Sequence, residues 1–200
     1  MLIDELIKQG YLKTPIIIEA FRKINRADFL SKEIKDEAEL NIPLPIGFGQ
    51  TISQPLTVAF MMELLDARPG NKVADIGSGS GWTAALLSDI VGTRGIVYGV
   101  EIIPQLLTLA NINLKKVGYP KTVVYKSDKK PGLAKFAPYN RILVSAASQK
   151  VPKELIGQLK TGGKMVIPIG GSIFKIDKLN NAKLAYEEFP GFAFVPLVSD

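Results

Sequence analysis

Apolar positions near the start of the chain recur at helical spacing. Leu2, Leu6 and Ile7 form one group, and Ile16, Ile17, Ala20 and Ile24 a second, each spaced by three or four residues. Pro15 stands at the first turn of the second predicted helix. The first seventy residues therefore read as mainly helical. The stretch from Asn41 to Pro55, NIPLPIGFGQTISQP, breaks that pattern, because three prolines and two glycines in fifteen residues cannot hold a long regular element. It is expected to be a shaped loop. Val58, Met61, Met62 and Leu65 then fall on one face of a further helix, with Ser53 and Pro55 read as its cap and first turn. ARPGNK ends it.

From Lys72 the pattern changes to short, wholly apolar runs alternating with helical stretches. KVADIG leads to a helix ending at Val91, GIVYGVE to a helix from Pro104 to Val117, then come VVYKSD and RILVSAA. A helix around Lys153 to Leu159 passes through the turn TGGK into MVIPIG. Strands without alternation, separated by helices, predict right-handed crossovers and a parallel sheet covered on both faces. FKIDKLN and FAFVPLV have no helix between them and are expected to pair antiparallel at one edge. The predicted class is α/β: a doubly wound, mostly parallel seven-stranded sheet with helices on both faces, an antiparallel C-terminal edge and an N-terminal helical extension. One domain is expected over residues 1–200, with 1–70 supplying helices and the loop and 71–200 the sheet.

Composition changes this picture chiefly by exclusion. A chain of 200 residues buries about 70% of the surface exposed when it is unfolded, and 46% apolar with 22% charged residues is an ordinary soluble balance. No apolar run reaches the roughly 18 residues of a membrane span, and MLIDELIKQG carries two acids where a signal peptide would be basic; a cytoplasmic location and no membrane partner are expected. Cys and His are both absent. That rules out a thiolate nucleophile, a Ser-His-Asp triad, an imidazole base and an ordinary zinc site, and no metal site is expected. Net charge is +6 and the pI about 9.4, which would suit an acidic partner such as RNA. The basic residues are scattered, with short groups at Lys115 and Lys116 and at Lys126, Lys129 and Lys130, and no interleaved aromatics. A solvated surface is the expected reading, in a monomer or small homo-oligomer.

In an open α/β sheet the ligand lies beyond the carboxyl ends of the strands. Three successive predicted strands stop at informative residues. The first ends in Asp75-Ile76-Gly77-Ser78-Gly79-Ser80-Gly81, whose glycines allow a tight turn and close backbone approach. The second stops at Glu101, placed to accept hydrogen bonds from a ribose diol, and the third at Ser127-Asp128, where a carboxylate can accept from an adenine amino group. GSGWTA, Gly79 to Ala84, also fits a G-x-G-x-x-A dinucleotide fingerprint. Its register differs, since Asp75 and Gly77 already occupy the strand end. A ligand without a pyrophosphate leaves the third glycine no necessary part in helix packing. Together these features predict an S-adenosylmethionine-dependent methyltransferase with its cofactor loop from Asp75 to Gly81.

Several runs, taken in order over nearly the whole chain, resemble the protein-L-isoaspartate O-methyltransferase family. They are GFGQTISQP from Gly47, VADIGSGSGW from Val73, VYGVE from Val97, PYNRILVSAA from Pro138, VPKELIGQLKTGGKMVIPIG from Val151 and FVPL from Phe194. The resemblance implies a Rossmann-like methyltransferase fold. It also implies transfer of the methyl of S-adenosylmethionine to the free carboxylate of isoaspartyl residues in damaged proteins or peptides, leaving S-adenosylhomocysteine; the ester then closes to a succinimide. By the same resemblance Ser53 is the active-site serine, acting with Thr51, while Gln50, Thr51 and Ile52 line the pocket beside it. Asp75, Gly77, Ser78 and Gly79 would hold the methionine part, Glu101 the ribose and Asp128 the adenine, with Gly81, Ile102 and Lys129 also counted among the cofactor-binding residues. Without the resemblance Ser53 reads equally as a helix N-cap. Three positions depart from the family pattern: Leu56 and Val58 where histidines are common, SDK in place of GDG at Ser127 to Lys129, and Tyr139-Asn140 in place of Tyr-Asp. The rival readings are a methyltransferase for another acceptor, RNA above all, and a non-catalytic S-adenosylmethionine-binding paralogue.

Overall fold

The computed structural model describes residues 1–127, 131–180 and 183–196. Its seven-stranded sheet is built from β3 (Lys72–Ile76), β4 (Ile96–Glu101), β5 (Val123–Lys126), β6 (Tyr139–Val144), β7 (Leu159–Ile169), β8 (Ser172–Lys178) and β9 (Leu184–Pro190), in the spatial order β5-β4-β3-β6-β7-β8-β9. The five strands from β5 to β7 run parallel, and β8 and β9 add antiparallel. The chain steps from β3 outward to β4 and β5, then crosses back to lay β6 on the other side of β3. The tips of β3 and β6 therefore flank the point where the winding reverses, which is where such sheets bind ligands.

Alternation along the strands divides the core in two. Val73, Val97, Leu143 and Val166 face α3 (Pro55–Leu65), α4 (Trp82–Val91) and α5 (Pro104–Lys116). Ala74, Ile76, Val100, Ile142 and Met165 face the other way, against Leu133 and α6 (Lys153–Gln158). Nearly every residue of α4 is buried. A helix apolar on all sides must be covered on all sides, and here the N-terminal helices α1 (Leu2–Lys8) and α2 (Pro15–Lys23) form a further layer on it. Phe21 of α2 meets Trp82 edge to face at 5.7 Å between ring centroids.

Several expectations are corrected. Between α2 and α3 the chain is not helical throughout: it makes 3-10 turns at Arg26–Phe29 and Lys32–Glu37. The loop from Asn41 to Pro55 contains a short hairpin, β1 (Leu44–Gly47) with β2 (Gln50–Ile52). Its turn is made by Gly47, Phe48 and Gly49, all at positive φ. The N-cap of α3 is Gln54 rather than Ser53, with Pro55 at the first helical position. TGGK lies inside β7, where the pairing with β6 is interrupted by an irregularity, and is not a separate turn.

The edge strand is LAYEEFP, not FAFVPLV. β9 is mostly exposed, and an exposed edge strand carries charge rather than an apolar stripe, so its pattern gave no signal. The aromatics after it are apolar because they cover α3: the ring of Phe192 stacks on Phe60 at 5.3 Å. Among the described residues no helix is long and apolar enough to cross a membrane.

Candidate active site

The turn after β3 is held from below. Gly77 and Ser78 both donate their N–H to the carbonyl of Val100, at 2.8 and 3.1 Å, and the Ser78 hydroxyl bridges the Asp75 carbonyl and the Val100 N–H. Gly77, Gly79 and Gly81 all have positive φ, a region closed to most side chains. Gly79 also faces the hairpin, since a Cβ there would stand 3.1 Å from Cδ1 of Ile46. Gly81 has a different reason for being glycine. A Cβ on it would meet the Cβ and carbonyl of Ala110 at 3.3 Å, so it packs against a helix, a part that the sequence had left unnecessary. It lines neither cavity described below.

Asp75 is fully buried under this turn. Its Oδ2 accepts from the Thr83 hydroxyl at 2.8 Å, and its Oδ1 has no partner among the described residues. Burial raises its pKa to about 6, with the Thr83 and Ser78 hydroxyls opposing the rise. Asp75 thus supports the loop from beneath and lines neither cavity.

Glu101 ends β4 and is 6% exposed. Its Oε1 accepts from the N–H groups of Ile102 and Ile103, at 2.8 and 3.0 Å, and its Oε2 from that of Gly79 at 2.9 Å. A carboxylate accepts about four hydrogen bonds, so one direction remains, on Oε2.

Two adjoining cavities lie on this end of the sheet. The first runs over the strand tips between Gly77, Glu101, Ile102 and Ser127, with Gln50 and Thr51 on the hairpin side and Val195 and Pro196 on the other. Its remaining walls are largely aliphatic, from Ile76, Val100 and Ile103. The second is lined by Thr51, Ile52 and Ser53 opposite Ser78, Ser80 and Trp82. Ile46, Thr51, Gly77, Gly79 and Ser145 line both, so the two are halves of one cleft. The hairpin forms its outer wall and the glycine turn its floor.

The cleft collects Gln50, Thr51, Ile52, Ser53, Gly77, Ser78, Gly79, Glu101 and Ile102 of the residues singled out from sequence; Asp75 lies beneath it and Gly81 beside it. Asp128 and Lys129 fall outside the described residues. Ser53 is half-buried, its carbonyl accepts from Arg26 at 3.1 Å, and among the described residues its hydroxyl makes no hydrogen bond.

The departures at Val58 and Asn140 lie away from the cleft. Val58 is 2% exposed in the core. Asn140 sits at the opposite end of the sheet, where its Oδ1 accepts the Lys72 N–H at 2.8 Å. Sequence reasoning missed Ser145, Trp82 and Arg26. The rule applied to the first three strand ends would have found Ser145, which follows the tip of the fourth; nothing in the local pattern marked Arg26.

Four buried side-chain polar atoms lack a partner among the described residues: Arg26 Nε, Asp75 Oδ1, Ser80 Oγ and Trp82 Nε1. Ser80 and Trp82 line the second cavity, Asp75 lies under its floor, and Arg26 stacks on Trp82. Buried polar groups are ordinarily paired, so Ser80 and Trp82 offer donors to a polar ligand at this end of the cleft.

Comparison with known proteins gives one answer. A model of the family "Protein-L-isoaspartate(D-aspartate) O-methyltransferase" matches residues 1–200. The protein-L-isoaspartate O-methyltransferase of Methanopyrus kandleri is 43% identical over all of this chain and 90% of its own length, and that of Ignicoccus hospitalis 41% identical over all of this chain and 96% of its own. A solved protein-L-isoaspartate O-methyltransferase superposes with a TM-score of 0.88 at 29% identity, covering 98% of this chain and 64% of that one. The chain belongs to the protein-L-isoaspartate(D-aspartate) O-methyltransferase family.

Proposed function

We propose that the cleft binds S-adenosylmethionine across the glycine turn and holds an isoaspartyl carboxylate at Ser53 and Thr51 for methylation. The chain is an S-adenosylmethionine-dependent methyltransferase acting on isoaspartyl residues of proteins, as its family membership implies. The observation that carries the assignment of the site is the meeting of the two cavities at Gly77, Gly79 and Ser145, with Ser53 on the wall of one and Glu101 on the wall of the other.

The residues fit the cofactor. Ser80 Oγ and Trp82 Nε1, on the wall of the second cavity and without a partner among the described residues, supply donors of the kind that the carboxylate of an amino-acid end requires, and Asp75 braces the turn beneath them. The first cavity offers aliphatic walls for a purine and the remaining acceptor direction of Glu101 for a ribose hydroxyl. When bound, the cofactor supplies an electrophilic methyl group on a sulfonium.

What this chain contributes is placement. An isoaspartyl carboxylate is already ionised at neutral pH, so no general base is needed, and a chain without His or Cys lacks nothing for this reaction. The Ser53 hydroxyl, uncommitted within the protein, and the Thr51 side chain donate to the acceptor carboxylate and fix its approach. Holding reactants in line accounts for about 7–11 kcal/mol of barrier in favourable cases. With no helix able to cross a membrane among the described residues and no cysteine in the chain, we place the reaction in the cytoplasm.

The test supplies labelled S-adenosylmethionine with an isoaspartyl peptide, its aspartyl isomer and bulk RNA. Label entering the isoaspartyl peptide alone is the expected result. Label in RNA alone, or in nothing despite cofactor binding, refutes the reading.

A further inference from the structure

Arg26 opens the 3-10 turn after α2 and is 5% exposed. Its Nη1 donates to the carbonyls of Ala38 and Leu40, both at 3.1 Å, and its Nη2 to those of Ile42 at 2.8 Å and Ser53 at 3.1 Å. Its guanidinium carbon stands 5.5 Å from the centroid of the Trp82 ring. No carboxylate pairs with it among the described residues. Burial lowers its pKa only to about 10, so it stays charged at neutral pH.

A buried cation outside any ion pair is costly unless hydrogen bonds offset its desolvation. Here the Glu39 carboxylate adds longer-range support and Nε has no partner among the described residues, while four bonds from Nη1 and Nη2 provide that offset. These partners are carbonyls of irregular backbone that no helix or sheet satisfies. They belong to two separate stretches: residues 38–42 lead into the hairpin, and Ser53 leaves it. The planar fork of a guanidinium spans both stretches at once, which the single ammonium of lysine does not do. The flat face rests on Trp82, a residue that itself lines the cleft.

We infer that Arg26 is the positioning residue of the acceptor half of the site: it clamps the entry and exit of the β1–β2 hairpin and so sets the Ser53 hydroxyl against the glycine turn. The inference rests on the reading of Ser53 given above. Asn41 adds a second tie, accepting from Gln54 and Leu56 at 2.9 and 3.0 Å. Without Arg26 the hairpin therefore stays attached but loses its register. The half of the cleft around Glu101, Ile102 and Ser127 rests on β4 and β5, and the hairpin reaches it only through Ile46, Gln50 and Thr51, so it depends on the clamp less than the half around Ser53 does.

The test compares wild type, Arg26→Ala and Arg26→Lys by steady-state methylation of an isoaspartyl peptide and by calorimetric titration with S-adenosylhomocysteine. A displacement of about 1 Å costs about 100-fold in rate, so Arg26→Ala is expected to lose about 30- to 100-fold in kcat/KM. Its affinity for S-adenosylhomocysteine should fall by less than about tenfold, well short of the loss in kcat/KM. Guanidinium ion at about 10 mM should restore Arg26→Ala at least tenfold by refilling the cavity with the missing fork, and should do nothing for Ser53→Ala or Arg26→Lys. Arg26→Lys keeps the charge but should fall at least tenfold, and it carries the test if the alanine variant does not fold. Activity within threefold of wild type in a folded variant, or product affinity falling in step with activity, overturns the inference. An inactive wild type refutes the proposed function and this inference with it; an active wild type with unaffected variants refutes this inference alone.

Discussion

Glu101 is the residue whose replacement tests the cofactor half of the site most directly. Its carboxylate accepts from three backbone N–H groups, one of them in the glycine turn. Glu101→Gln keeps the shape and removes the charge. With the amide oxygen left on Ile102 and Ile103, the NH2 group faces the N–H of Gly79, donor against donor. Two charge-assisted bonds drop to neutral ones at about 1 kcal/mol each, and the unsatisfied pair adds about 1–3 kcal/mol, so the free protein loses about 3–5 kcal/mol.

If Glu101 holds a ribose hydroxyl as proposed, the same change takes away its charged acceptor, a loss of about 2 kcal/mol, or about 30-fold in affinity. Thermal unfolding reads both effects at once. With S-adenosylhomocysteine at 100 times the wild-type Kd, the wild type gains about 2.7 kcal/mol, a rise of about 5–11 °C for a chain of this size. The variant at the same concentration sits at about three times its own Kd and gains about 0.9 kcal/mol, or about 2–4 °C. A variant whose melting temperature falls but whose ligand-induced rise equals that of the wild type would leave Glu101 a structural brace alone and sink the ribose assignment.

Ser53→Ala should lower kcat/KM for an isoaspartyl peptide about 10- to 100-fold, the worth of a hydrogen bond to a charged group, while product affinity measured by calorimetry stays unchanged; a parallel loss of both contradicts the assigned role. Gly81→Ala places a Cβ 3.3 Å from Ala110 at a φ of +96°, and urea unfolding should show a loss of about 1–3 kcal/mol; no loss would mean α5 yields freely. The Asp75 carboxyl has a folded pKa of about 6 against an ordinary 3.8, so between pH 4 and 6 the folded state holds a proton that the unfolded chain releases. Stability therefore falls as pH rises through that window, by up to about 3 kcal/mol. Asp75→Asn lacks this dependence, and urea midpoints of the two proteins that move together from pH 4 to pH 6 would refute it.

Periodicity alone yielded the alternation of strand and helix from Lys72 to Lys116, because β3 and β4 are largely buried on both faces and α4 and α5 are long enough to show their period. Spacing and strand ends also marked the glycine turn and Glu101, since ligands gather where parallel strands stop. Those features are local, and the sequence by itself determined them. It did not determine β9, whose exposed residues carry no apolar signal, nor the hairpin that β1 and β2 make of a proline-rich loop. Nor did it mark Arg26, whose partners lie 12 to 27 residues away along the chain. Its part in the site follows from which carbonyls the folded chain leaves unpaired around one buried guanidinium. The same is true of Gly81, which looks like a ligand-loop glycine in sequence and proves to be the seat of a helix contact. Only the tertiary structure decides such cases, because burial and hydrogen-bond need are properties of the assembled chain and not of any window along it.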